Sequence, residues 1–221
     1  LKGVFILRPE ADSRLVVEIL PKLFPNIRRL MLQRCTSIYQ DGINQLMQQC
    51  PSLVEVSFGY MPGNEQIQPQ FWTTLNNTQL RSIMFHNLYK TIIPNDLPLL
   101  KRIECFHIAH YRCSLVPILG RLGPNCWRIF LTWVYLTSEE LECIVSLNPM
   151  LTHSLTSLRL EYIASYENRE SNYKRLIETF VTHFKFITHL DICFGDHVSF
   201  ISFSNLLSYV LYIDFFSLFS A

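Results

Sequence analysis

A period constrains this chain more than any single motif. Nine segments open with apolar residues at positions one, four and six of a unit. The clearest is Ile27, Leu30 and Leu32, at the head of IRRLMLQRCTSIYQDGINQLMQQCPSL. The same phase is met by Leu1, Val4, Ile6; by Leu53, Val56, Phe58; by Leu80, Ile83, Phe85; and by Leu100, Ile103, Cys105. It returns at Cys126, Ile129, Leu131; at Leu155, Leu158, Leu160; at Ile187, Leu190, Ile192; and at Ile213, Phe216, Leu218. The starts lie 26, 26, 27, 20, 26, 29, 32 and 26 residues apart. A phase held along the whole chain is the signature of a repeat array.

The physics of one unit follows from its spacing. Positions four and six alternate with polar neighbours, which predicts a short strand with one buried face. Downstream the apolar interval changes to three and four, as in Ile43, Leu46, Met47 and in Leu141, Ile144, Leu147, which predicts one face of a short helix. Thr137 and Glu140 have the spacing of a capping box, and Asp41 is placed as the N-cap of the helix in the first clear unit. Pro25, Pro51, Pro98, Pro124 and Pro149 are placed after helices and before the next strand, where a helix must stop. One strand and one helix cannot bury their own apolar faces, but stacked copies can. The expected architecture is therefore α/β: a curved right-handed stack of about eight to nine repeats, with parallel strands on the concave face and helices on the convex face. Residues 1–221 are read as a single such domain within a longer chain.

The unit around Cys35 and Cys50-Pro51 resembles the cysteine-containing type of leucine-rich repeat, and is similar to the repeat arrays of F-box/leucine-rich-repeat proteins. Only Cys35 places cysteine at the ninth position; the other units have Pro9, Met61, Leu88, Ile108, Val134, Ile163 and Gly195 there. The resemblance implies a leucine-rich-repeat solenoid that holds a protein substrate for an SCF-type (cullin-RING) ubiquitin ligase. In that family an F-box upstream of the repeats recruits the Skp adaptor and cullin. No F-box is visible in this chain, and Leu15 to Phe24 fits better as the helix of the first repeat. The alternative is a leucine-rich-repeat scaffold or regulatory module without a ligase.

Composition narrows the function classes. Lys and Arg total 19 against 18 Asp and Glu, so no global field draws nucleic acid or an anionic membrane. Apolar residues make up 49%, far from a disordered composition. The 7 cysteines are scattered and odd in number, which argues against a disulfide framework. A cytoplasmic or nuclear location is expected. The apolar end, VSFISFSNLLSYVLYIDFFSLFSA, reads as repeat core rather than a membrane span, because Ser, Asn and Asp interrupt it. The 7 glycines form no phosphate-binding loop, and HExxH and GxSxG motifs are absent. A binding module is expected, with no enzyme activity and no cofactor.

Positions three, five and seven of each strand point away from the core and define the expected partner surface. The residues assigned to it are Arg29, Met31, Met84, His86, Phe106, Arg128, Phe130 and Arg159. His107, Trp133 and Tyr162 join them at position eight, where aromatics recur beside Tyr60 and Phe194. Aromatic, Met and Arg side chains together suit a protein-binding surface. The insert IASYENRESNY is read as a solvated loop. The stretch CFHIAHYRC has the composition of a zinc site, with Cys105, His107, His110 and Cys113 in nine residues. The phase turns Cys105 inward and sends His110 and Cys113 into the following turn, so convergence on a metal is not expected.

Overall fold

The expected alternation makes strands wherever two inward apolar residues flank one outward residue. The structure, a computed structural model, describes residues 4–7, 13–33, 40–59, 69–87, 93–161, 163, 169–193 and 201–203. Its strands are β1 (Val4–Leu7), β2 (Arg29–Gln33), β3 (Glu55–Gly59), β4 (Ser82–His86), β5 (Cys105–Tyr111), β6 (Arg128–Val134), β7 (Ser157–Glu161), β8 (His189–Cys193) and β9 (Ile201–Phe203). They form one sheet in chain order. β1 to β8 are parallel, and β9 runs antiparallel to β8. The helices are α1 (Ser13–Leu23), α2 (Gln40–Gln49), α3 (Pro69–Asn77), α4 (Val116–Leu119), α5 (Ser138–Leu147), α6 (Pro149–Ser154) and α7 (Arg169–His183).

One face of the sheet packs on the helices. Leu30, Leu32, Val56, Phe58, Ile83, Phe85, Ile129, Leu131, Leu158, Leu160, Leu190 and Ile192 are buried there as expected. Leu46 and Met47 of α2, Phe71, Trp72 and Leu75 of α3, Leu141 and Ile144 of α5, and Leu176 and Phe180 of α7 meet them in one core. At its centre Phe58 stacks on Phe85 at 5.5 Å, and Phe71 and Trp72 pack edge to face at 5.2 Å. Such pairs add to the area they bury.

Successive units are also tied by a regular backbone device. The carbonyl just before each strand accepts two N–H groups from the next unit: Arg28 from Val54 and Glu55, Val54 from Arg81 and Ser82, Arg81 from Glu104 and Cys105. Glu104, Trp127 and Thr156 continue the series. Side-chain amides add a second tie. Asn76 Nδ2 donates to the Leu99 carbonyl at 2.7 Å, and the fully buried Asn148 donates to those of Leu119 and Leu122 at 3.0 and 2.8 Å. Gly123 marks the closest approach: a Cβ there would lie 2.7 Å from Lys101 Cα and 2.9 Å from the Leu100 carbonyl oxygen.

Several expectations are corrected. β4 pairs Ile83 with Phe106 and Phe85 with Ile108, so the fifth strand starts its phase at Ile103, three residues later than expected. Leu100 is fully buried but belongs to the segment before the strand, where it bridges to Leu122. β1 pairs Phe5 with Leu30 and Leu7 with Leu32, one residue out of the expected phase. α2 begins at Gln40, so Asp41 lies within its first turn and not at its cap. Pro149 opens α6 instead of ending a unit; a helix's first position needs no N–H donor. The stretch RESNY belongs to α7 and not to a loop. At the far edge β9 occupies β8, pairing Leu190 with Phe203, so the next neighbour is antiparallel and not another parallel strand. Ile213, Phe216 and Leu218 lie outside the described residues. The capping box is present: Thr137 Oγ1 accepts from Glu140 N at 3.1 Å, and Glu140 Oε2 accepts from Thr137 N at 3.4 Å.

Candidate protein-binding face

The face of the sheet turned away from the helices is built by the outward residues of each strand. Three rows cross it. Parallel register aligns Arg29, Glu55, Ser82, Cys105, Arg128, Ser157 and His189 in the first. Met31, Ser57, Met84, His107, Phe130, Arg159 and Asp191 make the middle row. His86, Ala109, Thr132 and Glu161 continue the third from Gly59.

The middle row is soft and aromatic at its centre. His86 Nε2 lies 2.8 Å from Met84 Sδ. The His86 ring packs edge-on to His107 at 5.3 Å, and His107 packs edge-on to Phe130 at 5.6 Å. Thr132 Oγ1 is 3.5 Å from His107 Nε2, while His107 Nδ1 is buried without a hydrogen-bond partner. Burial, then the neighbouring His86 and Arg159, push the His107 imidazole down to about 4. His86 is lowered too, first by burial and then by His110. Both imidazoles are therefore neutral near pH 7.

Charge lies to either side. Arg29 pairs with Glu55 at 3.1 Å, and Arg81 with Glu104 at 2.9 Å. Arg159 Nε donates to Glu161 Oε1 at 2.6 Å. Arg128 differs: its guanidinium lies over the rings of Trp127 at 5.0 Å and Phe130 at 5.2 Å, within cation–π range. Its Nε reaches Ser157 Oγ only at 3.5 Å, and it joins no ion pair among the described residues.

The strand exit carries a second feature. Asn87, His110 and Trp133 occupy one register position after the third row, and all three have left-handed backbones, with φ of 63°, 54° and 53°. This conformation is uncommon outside glycine and tolerated best by Asn. It breaks the strand's two-residue alternation, so that Tyr111 and Val134 return to the core while His110 and Trp133 stay exposed. The His110 and Trp133 rings stack at 5.9 Å with planes 10° apart.

Of the residues assigned to the partner surface, Arg29, Met31, Met84, His86, Arg128, Phe130 and Arg159 lie on this face, and Trp133 lies at its exit. His107 is on it as well, but in the middle row and not at the strand's end. Phe106 is a correction: it is fully buried, 6.3 Å from Phe85 in the aromatic core, because the true phase starts at Ile103. Tyr162, Tyr60 and Phe194 lie outside the described residues. Cys105 is half-buried on the open face, not turned inward, and burial raises its thiol pKa. His110 belongs to β5, stacked on Trp133, and Cys113 packs against the core. Among the described residues, no three His, Cys, Asp or Glu side chains gather as metal ligands. No helix among them is long and apolar enough to cross a membrane. Two contributors were missed from sequence. Trp127 sits beside a buried position and carries no periodic signal. His110 was hidden by the misplaced phase. Compared with protein-family models and with curated proteins, the chain finds no match.

Proposed function

We propose that this chain is a leucine-rich-repeat solenoid that binds a protein partner on the open face of its sheet. The observation that carries the reading is the central row Met84, His107 and Phe130, flanked by Arg128 and bordered by Trp127 and Trp133. Trp and Arg are favoured where a few residues carry most of an interface's energy. An extended parallel sheet with units of one strand and one helix or turn offers that surface as its broad recess. The partner is a protein substrate, and the chain acts without catalysis of its own.

Within that reading, we assign the substrate-recognition role of an SCF-type ubiquitin ligase, on the resemblance of Ile27 to Leu53 to the cysteine-containing repeat. Cys50, buried just before Pro51, suits that pattern. A scaffold without ligase function is the second reading. It is favoured by the apolar residues Tyr111, Val134 and Ile163 buried at the ninth position, where the cysteine type would place Cys or Asn. Co-purification of the full-length protein with the Skp adaptor and cullin separates the two. The ligase role predicts a stoichiometric complex. A well-folded full-length protein that recruits neither component leaves the scaffold.

A further inference from the structure

The open face is unevenly charged, and the unevenness selects a partner. The outward residues of β4, β5 and β6 include no carboxylate. Three carboxylates at the margins hold arginines: Glu55 holds Arg29, Glu104 holds Arg81 and Glu161 holds Arg159, with Asp191 further along the middle row beside Arg159. Arg128 alone among these arginines has no carboxylate among the described residues, and meets two rings, a distant hydroxyl and the neighbouring Cys105 thiol. Its guanidinium carbon lies 5.0 Å from the Trp127 ring centre and 5.2 Å from that of Phe130, and no described residue accepts a hydrogen bond from its terminal N–H groups. A planar guanidinium with its terminal N–H groups available matches a carboxylate in bidentate fashion. Beside it, Phe130, His107 and Met84 form a continuous apolar and aromatic strip.

We propose that Arg128 and this strip recognise a partner segment in which an Asp or Glu side chain lies next to an aromatic or aliphatic one. The carboxylate docks on Arg128, and the apolar side chain lies along Phe130, His107 and Met84. Among the described residues of this face Arg128 is the arginine without a carboxylate, and it matches a single negative charge. A phosphate dianion would face Glu55 and Glu161 with Arg29 and Arg159 already neutralised. This inference rests on the reading of the open face as a protein-binding surface, and its test separates the two.

A library of random 12-residue peptides displayed on phage is selected on the immobilised full chain, and enriched peptides are synthesised for anisotropy titrations. Enrichment of Asp or Glu beside Phe, Trp, Tyr or Leu is expected. Arg128→Gln should weaken these peptides about tenfold, the scale of one charge-assisted pair. Changing the peptide's acid to its amide should weaken them equally, and the two changes together should cost little more than either alone. Arg128→Lys should recover only part of the loss, because a lysine lacks the flat fork. Enriched peptides without acids overturn the inference, as does an Arg128→Gln effect equal on acid and amide forms. A phosphoserine peptide that binds tighter than its aspartate counterpart also overturns it. In each of these cases loss of binding in Phe130→Ala leaves the protein-binding reading standing. Binding unaffected by Phe130→Ala, or an empty selection, removes both.

Discussion

At the scale of single residues, two neighbours in β5 carry opposite roles. Phe106 is fully buried in the aromatic core, and His107 lies on the open face. Phe106→Ala should destabilise the fold by about 3–5 kcal/mol, because a cavity adds to the lost transfer energy. His107→Ala should cost far less, and urea denaturation of the two variants gives the comparison. The reverse ranking would restore the earlier phase, with Phe106 outward. His107 also gives stability a pH dependence. Its pKa of about 4 in the folded chain lies below the ordinary value near 6.5, so the unfolded chain binds the proton more readily. Stability is therefore full above about pH 6.5 and falls as pH drops toward 4. Between pH 8 and pH 5 the loss from this group is about 1–2 kcal/mol, allowing for its partial contact with solvent. His107→Gln should abolish that part of the slope while leaving the remainder.

These residues also show what the sequence makes legible. The rows Leu30, Leu32 and Val56, Phe58 follow from the repeated phase and alternation, with Val56 and Phe58 on either side of Ser57 and with Leu30 and Leu32 bounded by Arg29 and Gln33. The segment Leu100-x-x-Ile103-x-x-Phe106 is different. Its apolar residues recur every third position, so two phases three residues apart fit it equally well. Hydrogen bonding decides between them, through the Arg81 carbonyl that accepts from Glu104 and Cys105. Most of the candidate face was legible because it is the complement of the core rows. The ion pairing that isolates Arg128 was not, since it depends on which strand lies beside which at single-residue register.

At the scale of elements, the regular series of ties between units consists of backbone contacts that side-chain patterns cannot announce. Gly123 is one. With no room for a Cβ against Lys101 and Leu100, Gly123→Ala must push two units apart, and a cost of about 1–3 kcal/mol is expected from overpacking. A shift in urea midpoint measures it, and an unchanged midpoint would show that the segments separate freely. Asn87 gives the complementary case. At φ of 63° Asn87→Gly should be tolerated within about 0.5 kcal/mol, whereas Asn87→Val should cost about 1–3 kcal/mol through the strained backbone. Equal effects of the two substitutions would mean that the left-handed turn is not what constrains the site.

Across the whole molecule, each unit leans on its two neighbours, and the large rings are concentrated where Phe58, Trp72, Phe85 and Phe106 meet. In the proposed solenoid, stabilities add from unit to unit. Native-state hydrogen exchange should therefore show the slowest amides in β4, β5 and β6, with protection declining toward β1 and β9. Uniform protection along the sheet would indicate one all-or-none cooperative unit instead.

The left-handed exit of β4, β5 and β6 has a consequence for how such a chain can change length. Equivalent strand positions are spaced 26, 27, 23, 23, 29 and 32 residues apart from Arg29 to His189, yet the rows stay in register. After β4, β5 and β6 the exit residue closes the strand's alternation before the chain leaves the sheet, so the differing steps of 23, 23 and 29 residues that follow do not propagate back into the rows. The segment after β5 is a natural acceptor point for grafted chain: a foreign loop placed at the exposed Ser114, beyond the last strand residue Tyr111, would be displayed while the strands kept their order.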